Sequence, residues 1–210
     1  MKTANSVRTK YSKMTATKWK LFVAAVELFA TRGYANVGVR DIAEVVGIKS
    51  ASIYNHFPSK DALLAEAYQF FYDNYTNNLM PTEKILEMIP ENHPHEILEE
   101  LLPPFGGRQL YDLIKKIILI ALERCNSDPR AEELVSKIYA NVKKRVATVL
   151  TRMIELGIIE PLDIDLFVSV FVRFSISAAS YANGRYDLSF KKWQAGRQML
   201  FGLVREKRGA

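Results

Sequence analysis

A chain of 210 residues with 49% apolar residues can bury a substantial core, and its single cysteine, Cys125, excludes an intrachain disulfide. The net charge of +6 is uneven: residues 1–60 hold ten Lys/Arg against three Asp/Glu, and residues 61–210 hold nineteen against twenty. A basic first quarter on a near-neutral body points to an anionic partner for that quarter, and no apolar N-terminal run suggests a secretory signal.

Residues 1–14 lack periodicity and are expected to form a mobile basic arm. Thr15 or Thr17 can cap a first helix whose apolar face is Trp19, Phe22, Val23, Val26, Phe29 and Ala30, and which Gly33 ends. Gly38 is an acceptable cap for a second helix. There Val39, Ile42, Ala43 and Val46 fall at i, i+3, i+4 and i+7, before a turn at Gly47. A third helix is expected from Ser50 to Phe57, stopped by Pro58. Its inward residues are Ile53 and Phe57. Ser50, Ala51, Ser52 and Asn55 are small or polar and face out. This helix–glycine turn–helix pattern suits insertion of the last helix into a DNA major groove, with a bland helical hairpin as the competing reading.

The residues themselves sharpen the choice. Phe29-Ala30-Thr31-Arg32-Gly33-Tyr34, Arg40-Asp41-Ile42-Ala43, Val46-Gly47-Ile48, Ser52-Ile53-Tyr54-Asn55-His56-Phe57 and Ser59-Lys60-Asp61-Ala62-Leu63-Leu64 together resemble the DNA-binding domain of the TetR (tetracycline repressor-like) family, from about Thr17 to Ala67. Two departures from the family pattern stand out: Val37-Gly38 in place of a Thr/Ser before the second helix, and Lys49 where a capping Ser is frequent. The second would leave Lys49 free for DNA. The resemblance implies a homodimeric, ligand-responsive regulator of transcription, most simply a repressor on a palindromic operator in the bacterial cytoplasm. Phosphate positioning is expected from Tyr54, His56, Lys60 and groups near Thr17 and Arg40, and base reading from Lys49, Ser50, Ala51, Ser52 and Asn55.

Beyond Pro58 the pattern stays helical. Ser59 can cap a helix to about Asn78, carrying the aromatic set Tyr68, Phe71, Tyr72 and Tyr75. Short helices are expected near 82–89 and 94–102, between prolines, and a longer one over 108–124. Asp128-Pro129 is a cap and first-turn pair for a helix reaching Leu156, with Gly157 behind it. The stretches 163–183 and 188–204 are apolar around most of their circumference, so a second subunit is a natural cover. Phe174, Ala178, Tyr181, Trp193, Gly196 and Leu200 are the expected interface. Leu166 to Gly184 is interrupted by Arg173 and four serines, so it reads as a buried helix and not a membrane span.

The expected fold is therefore all-α with about nine or ten helices, residues 1–60 binding DNA and 61–210 forming an effector-binding and dimerisation domain. No phosphate loop, nucleophile elbow or zinc spacing is present, so neither catalysis nor a cofactor or metal is expected. His93-Pro94-His95-Glu96 reads as a surface loop before a metal site, and Cys125 as a plain helix cysteine. An apolar or aromatic small molecule is the expected effector, with Phe71, Tyr75, Phe105, Tyr111, Ile114, Phe167 and Phe171 as candidate walls. Arg173 would serve an anionic group if it faces inward. The alternative, an enzyme or small-molecule carrier with a vestigial helix-turn-helix, is opposed by the basic first quarter and the intact Tyr54-Asn55-His56-Phe57.

Overall fold

The computed structural model describes residues 14–75, 80–101, 108–180, 195–196 and 198–207. The expected basic arm, apart from its last residue, lies outside them. Among the described residues the chain is helical: α1 (Ala16–Arg32), α2 (Val39–Val46), α3 (Ser50–Ile53), α4 (Lys60–Tyr75), α5 (Thr82–Met88), α6 (Pro94–Glu100), α7 (Arg108–Arg124), α8 (Pro129–Glu155) and α9 (Ile164–Ser180). Residues 198–201 are again helical. The all-α expectation holds, and the sole β feature among the described residues is an isolated bridge between Ile159 and Glu206.

Local chemistry sets the helix ends. The Thr15 hydroxyl accepts the Lys18 amide at 3.2 Å, so Thr15 and not Thr17 caps α1. Asp41 accepts the Gly38 amide at 2.6 Å and closes the start of α2. At its end Ile48 donates to the Ala43 carbonyl and Gly47 to Glu44, at 3.0 and 3.1 Å, with Gly47 left-handed at φ 75°. This double closure reverses the chain within two residues. Nothing lies within 4 Å of a Cβ built at Gly47, so a side chain there would cost only backbone strain, about 1–2 kcal/mol.

α3 is shorter than expected. Helix covers Ser50–Ile53, and residues 54–56 form a tighter turn in which Asn55 and His56 donate three residues back. The residue before a proline avoids the α-helical region, which is why the helix cannot run on to Phe57. Ser59 caps α4 through the Ala62 amide at 3.0 Å, and Asp128 caps α8 through the Arg130 amide at 3.0 Å.

Packing groups the described residues into two units. The first joins 14–75 to 108–135, and the second joins 80–101 to the rest. In the first, α1 is the hub, in contact with α2, α4 and α7. Its Leu21, Phe22, Ala25, Val26 and Phe29 are buried, as are Ile42, Ile53, Phe57, Leu63, Phe70, Ile117 and Ala121. Trp19, Phe22 and Phe70 form an aromatic cluster with centroids 5.2–5.9 Å apart. Each buried aromatic of this size contributes about 1.5–3 kcal/mol, so the two-turn α2 and one-turn α3 are held by α1 and not by their own propensity.

The second unit has its own core of Ile85, Ile97, Leu98, Val149, Leu150, Met153, Phe167, Val168, Phe171, Phe201 and Val204. The segment after residue 204 is fastened by backbone bonds from Glu160 to the Arg205 carbonyl and from Lys207 to the Ile158 carbonyl. His93 pairs through Nε2 with Glu206 at 2.9 Å. Its Nδ1 accepts the His95 amide, so this ring is used as the cap of α6. No helix among the described residues is long and apolar enough to cross a membrane.

Candidate nucleic-acid interface

The surface of α2 and α3 is built from small and polar groups on a rigid apolar back. Ile53 and Phe57 are buried at 1% and 2%, and between them Tyr54 stands out, 57% exposed, with Asn55 beside it. Ala51 is exposed, and Ser50, Ser52 and His56 are half-buried. Lys49 occupies the cap position of α3 without bonding the helix through its side chain, and it is exposed, as the departure from Ser implies. Arg40 is exposed in the first turn of α2, and Thr17 is half-buried on α1. The Lys18 ammonium lies 4.9 Å from the Phe57 ring centroid, and Lys20 is exposed. Lys49, Ser50, Ala51, Ser52, Tyr54, Asn55 and His56 thus lie on or directly beside α3.

Lys60 is engaged within the chain. Its ammonium donates to the backbone carbonyls of Tyr34 and Val37, both at 2.9 Å, and sits 4.1 Å from the Tyr34 ring centroid. It ties the start of α4 to the turn that leads into α2. One sequence signal pointed this way: a cation at the first position of a helix opposes the helix dipole, so it needs another partner.

The same corner is gripped by residues that short-range sequence reading could not connect. The Arg124 guanidinium carbon lies 4.2 Å from the Tyr34 ring centroid. Arg130 forks onto Asp61 at 2.7 and 3.0 Å and onto Asp128 at 2.8 and 3.0 Å. Lys116 of α7 joins Glu27 of α1 and its own helix's Asp112 at 2.5 and 2.6 Å. Hydrogen bonds from Arg130 are the largest influence on both Asp61 and Asp128, and they hold the two carboxyls below the ordinary range. Burial and the nearby Asp61 carboxylate push the Tyr34 hydroxyl up, so it stays neutral.

A carboxyl depressed by folding contributes stability that is complete above its unfolded pKa, near 4, and is lost as pH falls through the folded value. The Arg130 fork is therefore expected to be intact across the neutral range and to weaken only below about pH 4. Thermal unfolding followed from pH 7 to pH 3 should show a smaller acid loss in Asp61→Asn than in the parent. An equal loss in both would remove Asp61 from the account.

Residues 21–67 match the model for bacterial regulatory proteins of the tetR family. This stretch is that of a tetR-family regulatory protein. Among curated relatives, the negative transcriptional regulator IcaR of the biofilm operon icaADBC in Staphylococcus aureus is 28% identical over 126 residues, 60% of this chain and 61% of IcaR. The chain thus spans about three-fifths of that relative's length. Among solved structures, the ketosteroid transcriptional regulator KstR2 of Mycobacterium tuberculosis aligns over 92% of this chain and 97% of its own, with a TM-score of 0.70 at 23% identity. A regulator from Saccharomonospora viridis in complex with choline aligns over 93% and 100%, with a TM-score of 0.59 at 19% identity. The structural likenesses carry the fold, and the curated relatives are transcriptional regulators.

The remaining expected site residues fall in three groups. Phe71 and Ile114 are buried in the first unit, with Tyr75 stacked on Phe71 at 4.7 Å. Phe167 and Phe171 are buried in the second, 6.2 Å apart. Phe105, Tyr181 and Trp193, and the side chains of Tyr111, Arg173, Phe174 and Ala178, lie outside what is described. Leu200 is buried in the core of the second unit. Exposed apolar residues of that unit include Met199 (78%) and Leu203 (62%), with Leu166 (61%) and Val170 (43%) on α9. Gly196 is half-buried.

Proposed function

We propose that this TetR-family regulator is a ligand-responsive repressor that acts as a homodimer on a palindromic operator in the bacterial cytoplasm. Residues 1–60 carry DNA recognition, and 61–210 carry effector binding and dimerisation. The observation that carries the reading is the surface of α3 and its flanks, where Lys49, Ala51, Tyr54 and Asn55 are exposed around the buried Ile53. Small outward residues let the backbone approach base edges, and the flanking donors suit phosphates. The relatedness to IcaR, a negative regulator, favours repression. One head buries too little surface for tight specific binding, which favours two half-sites.

The effector is read as a largely apolar or aromatic small molecule. The choline complex and the ketosteroid regulator among the structural neighbours support a ligand in a body of this fold without fixing its chemistry. The exposed apolar residues Leu166 and Val170, one turn apart on α9, with Met199 in the last helical stretch and Leu203 in the turn after it, support dimerisation through this part of the chain.

Sequencing the DNA that the purified protein selects from a random library tests the reading, with recovery of a two-fold symmetric site as the expected result. Failure to enrich any sequence would refute it. With Lys60 engaged internally, roughly three charge contacts per subunit remain, so log K against log salt should have a slope of about −5. On the selected operator, Asn55→Ala should relax preference at one base position by about 1–3 kcal/mol. Uniform weakening at every position would instead assign Asn55 to the phosphates.

A further inference from the structure

We propose that Arg130, at the start of α8 and outside the residues that match the family model, is a positioning residue for the DNA-reading helices. The proposal rests on the reading of α3 as the recognition helix. Four contacts of 2.7–3.0 Å engage the guanidinium, two to Asp61 in the first turn of α4 and two to Asp128. That use of both edges leaves few N–H groups for a phosphate, so Arg130 acts through its neighbours. Asp61 adjoins Lys60, whose ammonium holds the Tyr34 and Val37 carbonyls. Val37 leads directly through Gly38 into α2, which turns at Gly47 into α3. A second thread reaches the same turn: Arg124 lies against the Tyr34 ring and 3.5 Å from Asp128.

Asp128 fixes the geometry. Its side chain is 4% exposed, whereas Asp61 is 59% exposed. An exposed pair alone contributes little, but here the buried carboxylate orients the guanidinium before Asp61 meets it. The α7–α8 corner is thereby a fixed post to which the α1–α2 turn is tied. Removing Arg130 frees Asp61 and loosens the turn, while the aromatic core of α1 and α4 stays intact.

Amide hydrogen exchange on the full-length protein tests this without DNA. Arg130→Gln and Asp61→Asn should each speed exchange over residues 34–53 about five-fold, with the α1 core and the second unit unchanged, and the double variant should add nothing to either single one. Arg130→Lys should recover only part of the protection, because an ammonium lacks the planar fork. Unchanged exchange over 34–53 would overturn the proposal, as would a uniform rise that includes α1 and α7, or additive single effects. Operator binding supplies the second readout: Arg130→Gln should lower specific affinity about five-fold at an unchanged salt slope, whereas a slope reduced by about 2 per dimer would make Arg130 a phosphate contact and refute positioning. A parent protein that selected no operator would refute the repressor reading, and the exchange result would still decide the tie between Arg130 and the turn.

Discussion

Met199→Glu combined with Leu203→Glu is expected to give a folded monomer that has lost at least about 100-fold in operator affinity, since the second head no longer binds as a tethered partner. Both side chains are largely exposed in the single chain, at 78% and 62%, so the substitutions leave the protomer's core in place. In a dimer formed through this surface each carboxylate would lose water without gaining a partner. Light scattering and gel retardation of the same preparation decide the matter. A folded double variant that stayed dimeric would sink the proposed interface. A monomer with undiminished operator affinity would sink the need for two heads. Leu200→Glu is the wrong test, because it drives a charge into the protomer's own core and reports unfolding.

Lys60→Met should lower the thermal midpoint by about 4–8 °C, the equivalent of roughly 2 kcal/mol for a chain of this size. Methionine keeps most of the aliphatic length but removes the donor to two carbonyls, and it leaves Tyr34 without the adjacent ammonium. The slope of log K against log salt should stay as in the parent. The opposite pattern, an unchanged midpoint with a slope smaller by about 2, would restore Lys60 to the phosphate-contacting set.

Lys60 and Leu200 show where sequence reading reaches its end. The span of α1 and α2, the glycine turn, the Ser59 and Asp128 caps and the helices between the prolines were legible because each depends on residues within a few positions of one another. The exposed face of α3 was legible for the same reason, since buried Ile53 and Phe57 fix which side turns outward. The internal partners of Lys60 were not legible because its acceptors lie 23 and 26 residues away. The Arg130–Asp61 contact spans 69 residues, a separation at which no local pattern operates. Leu200 and Met199 are adjacent on a short apolar helix, and an apolar pattern on all sides cannot say which residue meets the chain's own core and which is left outside.

The unit that holds the recognition helix is discontinuous: it draws on residues 14–75 and again on 108–135. A chimera that joined this head to another body at a single crossover would divide that unit. In this chain a cut after residue 60 would keep Lys60 and Tyr34 in the head while Asp61, Arg124, Asp128 and Arg130 were exchanged for a foreign corner. A chimera that keeps its native specificity should need two crossovers, with the segment from 108 to 135 travelling alongside the head as part of the transplanted piece.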